Sequence, residues 1–169
     1  MPTILKATIY DVPEAVALVN SAYRGETSKQ GWTSESHLLE GIRIDEVEMV
    51  GYFNRPEITL LKYLNDDGRV DGFVYLEQVK NKCLYLGMLT VNPTLQASGI
   101  GRQLLYAANE QARMLGCEAI KISVITTRAE LISWYERRGF KATGEVFPLV
   151  TTTSVAKEPV YLMIMEKML

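Results

Sequence analysis

Histidine is almost missing from this chain: His37 stands alone among 169 residues, with only Cys83 and Cys117 as further soft ligands. One histidine supplies no metal cluster and is expected in a surface or helix-capping role, so no metal site is read. Two cysteines make no disulfide framework, and neither sits in the sequence surroundings of an activated nucleophile; both are expected as buried packing residues. No apolar run reaches the roughly 18 residues of a membrane-spanning helix. The opening Met1-Pro2-Thr3-Ile4-Leu5-Lys6 lacks the charged and apolar regions of a secretory signal. Charge of one sign is lacking too. Eighteen basic residues face 20 acidic ones, a net charge of −2 that gives no global attraction to nucleic acid or to an anionic membrane. The expectation is a cytoplasmic protein with neither as partner.

What is present suits one folded domain over residues 1–169, with a hydrophobic fraction of 47% and a charged fraction of 22%. Residues 3–9 read as a strand. Asp11 and Glu14 have capping-box spacing before an apolar stripe of Val12, Ala15, Val19 and Ala22 or Tyr23, a first helix that stops near Gly25. A polar connection follows, with helical residues resuming near Ser36. Asp45 and Glu48 cap a short helix carrying Val47 and Val50, closed by Pro56. The pattern then changes to strands at 58–64, 70–79 and 83–91, whose short polar connections predict an antiparallel meander. Another strand is expected over 119–125, a helix over 130–138, and final strands over 140–147 and 160–168.

The informative stretch is 84–115, an apolar strand, a polar loop and an amphipathic helix presenting Ile100, Leu104, Ala108, Ala112 and Leu115 on one side. The loop reads Gln96-Ala97-Ser98-Gly99-Ile100-Gly101 and runs into Arg102. Its glycines remove side chains where backbone N–H groups must approach a ligand closely. The helix begins within the loop, so its unpaired N–H groups and positive dipole end point together, an arrangement suited to phosphate or pyrophosphate. A dinucleotide-binding reading fits less well. Several consecutive strands precede the loop, and Leu104 stands where Gly-x-Gly-x-x-Gly requires a small residue.

Val91-Asn92-Pro93 followed by Gln96-x-x-Gly99-x-Gly101 resembles the acyl-CoA-binding signature of the GNAT superfamily of N-acetyltransferases. A second stretch, Leu131-Ile132-Ser133-Trp134-Tyr135-Glu136-Arg137-Arg138-Gly139-Phe140, resembles that family's later Leu-Tyr-x-x-x-Gly-Phe motif. The resemblance implies an α+β fold with a mixed, mainly antiparallel sheet flanked by helices. It also implies acetyl-CoA as cosubstrate and an amine acceptor, either a small molecule or a protein amino group. Backbone groups near Leu89 and Val91 would pair with pantetheine, and Gln96, Ala97, Ser98, Gly99, Ile100, Gly101 and Arg102 would hold the pyrophosphate. Tyr135 matches the tyrosine that protonates the departing thiolate, although a packed aromatic with a satisfied hydroxyl is the plain alternative.

Several positions depart from the family pattern. Arg128 stands where many relatives place Asn, and residues 83–90 carry no carboxylate to act as base. Glu77 is a candidate base, against the reading of an exposed surface residue; a water-mediated base fits equally. Trp134 is expected to pack in the core, and Arg137-Arg138 to form a solvated helix end that can reach the CoA phosphates. Acceptor choice falls to residues 28–36, with Trp32 as the substrate-binding candidate, and to residues 151–154. A non-catalytic acyl-CoA-binding or sensing module is the alternative function, and a homodimer is left open.

Overall fold

The computed structural model describes residues 2–23, 39–96, 98–149, 154–156 and 159–169. In chain order the elements are β1 (Thr3–Lys6), α1 (Val12–Tyr23), β2 (Leu39–Gly41), α2 (Glu46–Tyr52), β3 (Ile58–Leu64), β4 (Val70–Val79) and β5 (Cys83–Val91). They continue with α3 (Ile100–Met114), β6 (Ala119–Ile125), α4 (Ala129–Glu136), β7 (Lys141–Pro148), β8 (Ser154–Ala156) and β9 (Tyr161–Met168). Seven strands form one sheet in the order β1-β3-β4-β5-β6-β9-β7, and β2 pairs with β8 separately. Every neighbouring pair in the large sheet is antiparallel except β5 with β6. This is the expected α+β architecture.

Strand alternation builds two cores, one on each face of the sheet. On β3 and β4, Leu61, Tyr63, Val74 and Leu76 point to the face covered by α3, where Ile100, Leu104, Leu105, Ala108 and Ala112 meet them. Leu60, Phe73 and Tyr75 point to the other face, against Val12, Ala15, Leu18 and Val19 of α1 and Met49 of α2. Gly72 lets α3 lie close, since a Cβ there would come within 2.9 Å of Ile100 Cγ2 and Leu104 Cδ1.

Several local expectations are corrected. The first strand ends at Lys6, and Asp11 is not the cap of α1: its carboxylate accepts from Thr8 N at 2.7 Å and closes a 3-10 turn over Ile9–Asp11. Residues 39–41 form a strand rather than part of a helix. Asp45 caps α2 as its spacing predicts, accepting from Glu48 N at 2.7 Å, but Met49 is the buried anchor there while Val47 is exposed. On α3, Leu105 joins the buried stripe, and Leu115 falls outside it.

The turn after β5 is tied down by a buried carboxylate. Asp71 is fully buried and accepts from Asn65 Nδ2 at 2.7 Å, Arg69 Nε at 3.0 Å and Asn92 Nδ2 at 3.1 Å. Burial alone would raise its pKa, but these donors reverse that and hold the carboxyl below its ordinary range. Asn92 in turn accepts from Thr94 N at 3.1 Å and opens a 3-10 turn over Pro93–Leu95, so Asp71 sets where the chain leaves the sheet. Replacing Asp71 with Ala strands the Asn65 and Asn92 amides. The expected cost is about 2–4 kcal/mol, a drop in melting temperature of roughly 5–12 °C in thermal unfolding.

Candidate acyl-transfer site

Two irregularities in β5 create the site. Its parallel pairing with β6 covers only Cys83↔Ala119, Leu84↔Ile120 and Tyr85↔Lys121, after which the two strands part. Its pairing with β4 slips between Phe73↔Thr90 and Tyr75↔Gly87, where β5 carries one residue more than its partner. Met88 absorbs the extra residue at φ +46, and Thr90 Oγ1 donates to its carbonyl at 2.8 Å. The bulge inverts the strand's alternation. Leu84 and Leu86 face α3, Met88 faces α1, and Leu89 and Val91 face α3 again. Without the slip, Leu89 and Val91 would point to the wrong side of the sheet.

Past the split lies a cavity of about 370 Å³ lined by Leu89, Val91, Gln96, Gly99, Gly101, Arg102, Leu131, Trp134, Arg137 and Arg138. Gly99 is the N-cap of α3 at φ +93, a left-handed conformation that side chains resist, and it exposes the helix's first N–H groups. Among the described residues the lining carries three arginines and no carboxylate. Arg138 lies 3.9 Å above the Trp134 ring and donates from Nη1 to the Trp134 carbonyl at 2.9 Å. Its Nε is buried with no hydrogen-bond partner among the described residues, as is Gln96 Oε1. Burial first, then the charges of Arg137 and Arg102, lowers the pKa of Arg138. A half-buried cation beside like charges is a place where an anion is stabilised.

Six of the residues singled out from the sequence therefore meet at one cavity: Leu89, Val91, Gln96, Gly99, Gly101 and Arg102. Ile100 sends its side chain into the core, and the exposed Ser98 donates its hydroxyl to the Leu95 carbonyl. Ala97, Trp32 and His37 lie outside the described residues, as do residues 28–36 and 151–153. Trp134 packs against the core as expected and also forms a wall of the cavity, while Arg138 is corrected from solvated helix end to a half-buried partner of that wall. Leu131 and Trp134 were legible as i and i+3 positions on one side of α4, a spacing that the sequence reading left unused, while Arg138 lies in the turn beyond the helix end.

Tyr135 stands behind this wall, 6% exposed, edge-on to Trp134 at 5.1 Å and to Phe140 at 5.3 Å. Its hydroxyl has no hydrogen-bond partner among the described residues. Burial, chiefly, with the nearby Tyr23 and Tyr85 phenols, pushes its pKa far up, against the pull of the buried Arg128. Arg128 occupies the N-cap position of α4 without a side-chain cap. Tyr85 belongs to the opposite face of β5, so the Tyr135 hydroxyl is felt across the split. Glu77 is neither exposed nor idle: its side chain is 21% accessible, accepting from Tyr75 Oη at 2.6 Å and Arg55 Nη2 at 2.8 Å.

A split parallel pair, a bulged strand and a glycine-started helix thus surround a cationic cavity suited to an anionic ligand. The model of the Acetyltransferase (GNAT) family matches residues 19–140, and the chain belongs to that family of acyl-transferring enzymes. N-alpha-acetyltransferase 30 of Dictyostelium discoideum is 28% identical over 150 residues, covering 85% of this chain and 79% of that protein. The ribosomal-protein-S18-alanine N-acetyltransferase of Escherichia coli superposes with a TM-score of 0.75 at 18% identity, over 99% of this chain and 94% of that one. A PaiA N-acetyltransferase from Thermoplasma acidophilum, solved with coenzyme A, superposes at 0.73 and 19% identity, over 100% and 99%. No helix among the described residues is long and apolar enough to cross a membrane.

The raised pKa of Tyr135 has a measurable sign. Below about pH 10 the phenol is neutral in folded and unfolded chains alike. Above it the unfolded chain releases a proton that the folded chain retains, so stability falls by about 1.4 kcal/mol per pH unit for one such group. Tyr135→Phe lacks this loss. Melting curves should show the variant gaining on the parent between about pH 8 and about pH 11.

Proposed function

We propose that the protein transfers the acetyl group of acetyl-CoA to an amine by direct attack on the thioester. The observation that carries this reading is the cavity running from the bulged edge of β5 to the N-terminus of α3 under three arginines. The fit is residue by residue. The edge of β5 beyond Tyr85 has no strand partner on the β6 side, which suits the amides of pantetheine. The N–H groups after Gly99, with Arg102, Arg137 and Arg138, suit a pyrophosphate. The sites of Ala97, Ser98 and Ile100 in this loop are assigned through their backbone.

Acetyl-CoA supplies an activated carbonyl and a good leaving group; the chain supplies position, a positive field and protons. We assign Tyr135 as the proton donor to the departing sulfur. A raised pKa makes a phenol a weaker acid, yet the burial that raises it also raises that of a thiol at the same place, which keeps donor and acceptor matched. The acceptor is an amine, a protein amino group or a small molecule. Relatives named for protein amino-terminal acetylation support the former. Trp32 keeps its assignment to the acceptor side: Trp32→Ala should change acceptor turnover more than acetyl-CoA affinity, read by steady-state kinetics and calorimetry.

Calorimetry should give binding of acetyl-CoA and none of NAD; a folded protein that takes up no acetyl-CoA overturns the reading. Gly101 offers the cleaner obstruction. A Cβ there would meet Trp134 and Val91 at 3.5 and 3.7 Å, ordinary contact distances, whereas any side chain at Gly99 is strained by its φ. Gly101→Val should melt near the parent temperature while losing acetyl-CoA affinity by about tenfold or more.

For the chemical step, Tyr135→Phe should leave acetyl-CoA affinity close to the parent and lower kcat by about 10²–10⁴-fold. Unchanged single-turnover transfer in the folded variant removes Tyr135 from the step and leaves the binding assignment standing. A sensing module that binds without transferring would release no CoA with any member of an amine panel.

A further inference from the structure

Resting on the acetyl-transfer reading above, we propose that Tyr85 and Ser123, hydrogen-bonded to one another across the β5–β6 split, carry the proton that leaves the acceptor nitrogen. Their hydroxyl oxygens lie 2.6 Å apart, and either can donate. The position is specific. Tyr85 belongs to the last β5–β6 pair, opposite Lys121, and Ser123 lies two residues beyond Lys121 on β6. Tyr85 packs with the α1 face of the sheet, opposite the arginine-lined cavity. The hydroxyl pair thus spans the two strands where they begin to part.

Among the described residues, the carboxylates opposite and beside this pair are already engaged. Glu77, opposite Tyr85 on β4, receives Tyr75 Oη on one oxygen and Arg55 on the other. Glu166 on β9, opposite Lys121, pairs with its ammonium at 3.8 Å. Neither is a free base at the strands' edge, whereas paired hydroxyls can accept a proton and release one in the same event. The step balances as follows. The nitrogen forms its bond to the acetyl carbon as the carbon–sulfur bond breaks. The nitrogen's surplus proton goes to one hydroxyl of the pair, that pair passes a proton to solvent water, and Tyr135 protonates the sulfur and is reprotonated from water. No oxidant or further reactant enters.

A purely structural tie between strands would give the same hydrogen bond, so the test separates the two. Tyr85→Phe, Ser123→Ala and Ser123→Thr are compared with the parent, each checked by thermal melting and by acetyl-CoA calorimetry. CoA thiol release is followed with two probe nucleophiles small enough for any acceptor groove, methylamine and hydroxylamine. Methylamine forms an adduct whose N–H holds its proton tightly. Hydroxylamine, far less basic, forms one acidic enough to lose its proton directly to water. Tyr85→Phe and Ser123→Ala should lower methylamine-dependent release by at least roughly tenfold, and hydroxylamine-dependent release by less than about threefold. Ser123→Thr, which keeps the hydroxyl, should stay within about threefold on both.

Equal losses on both nucleophiles, or no loss on methylamine, overturn the relay, as does a parent that binds acetyl-CoA and acetylates neither probe. A parent that binds no acetyl-CoA instead overturns the reading on which the relay rests.

Discussion

β5 and β6 hold together through three residue pairs and then separate, and the position of the cavity depends on where that separation falls. A parallel pair that stayed in register would spend its backbone groups on itself and close the sheet. Here the pairing ends at Tyr85 and Lys121, and a bulge at Met88 follows three residues further along β5. The bulge re-aims Leu89 and Val91 toward the α3 face, while Met88 fills the core under α1. A non-glycine residue at positive φ carries a conformational cost of order 1–3 kcal/mol. Burial of Met88 at 6% exposure is of comparable size and opposite sign, which is how the surrounding fold can hold the distortion.

Much of this was legible from the residues. The bounds of β3, β4, β5 and β6 follow from β-branched runs broken by polar turns. The start of α3 follows from Gly99, because a helix N-cap at positive φ has few other occupants. The bulge was less visible, since Met88 is neither Gly nor Asn. Its trace is a phase slip: Leu84 and Leu86 fix one alternation, and Leu89 and Val91 continue it one residue late. The role of Arg138 was hidden for another reason. An Arg-Arg pair before a glycine reads as solvated, and only packing lays one guanidinium on Trp134. On α2 the sequence reading picked out Val47 and Val50, whereas the turn of the helix buries Met49 and leaves Val47 exposed.

The two faces of the split differ in kind. On the α3 side the lining is cationic and backbone-rich, with Arg102, Arg137 and Arg138 over the helix start. On the α1 side stand phenols, with Tyr52 and Tyr75 in edge contact at 4.9 Å and Tyr75 and Tyr85 at 6.4 Å. Burial first, then the neighbouring carboxylates, pushes the pKa values of Tyr52 and Tyr75 far up, so these rings stay neutral through the ordinary pH range. An anionic ligand is thus drawn to one side by charge, and the other side can receive a nitrogen among neutral hydroxyls and rings.

That asymmetry bears on the leaving group. On the acetyl-transfer reading proposed above, a thiolate departing beside the arginines is stabilised by their field, which lowers its demand for a proton at the moment the carbon–sulfur bond breaks. On that reading the field leaves less for the Tyr135 hydroxyl to do: the better the thiolate is stabilised, the less its departure depends on a proton. The same field opposes a cationic amine approaching from that side. Deprotonation of the nitrogen is favoured by the same arginines, since a neutral nucleophile feels no repulsion from them. On that reading, the charge that would hold one substrate also favours the neutral form in which the other would react.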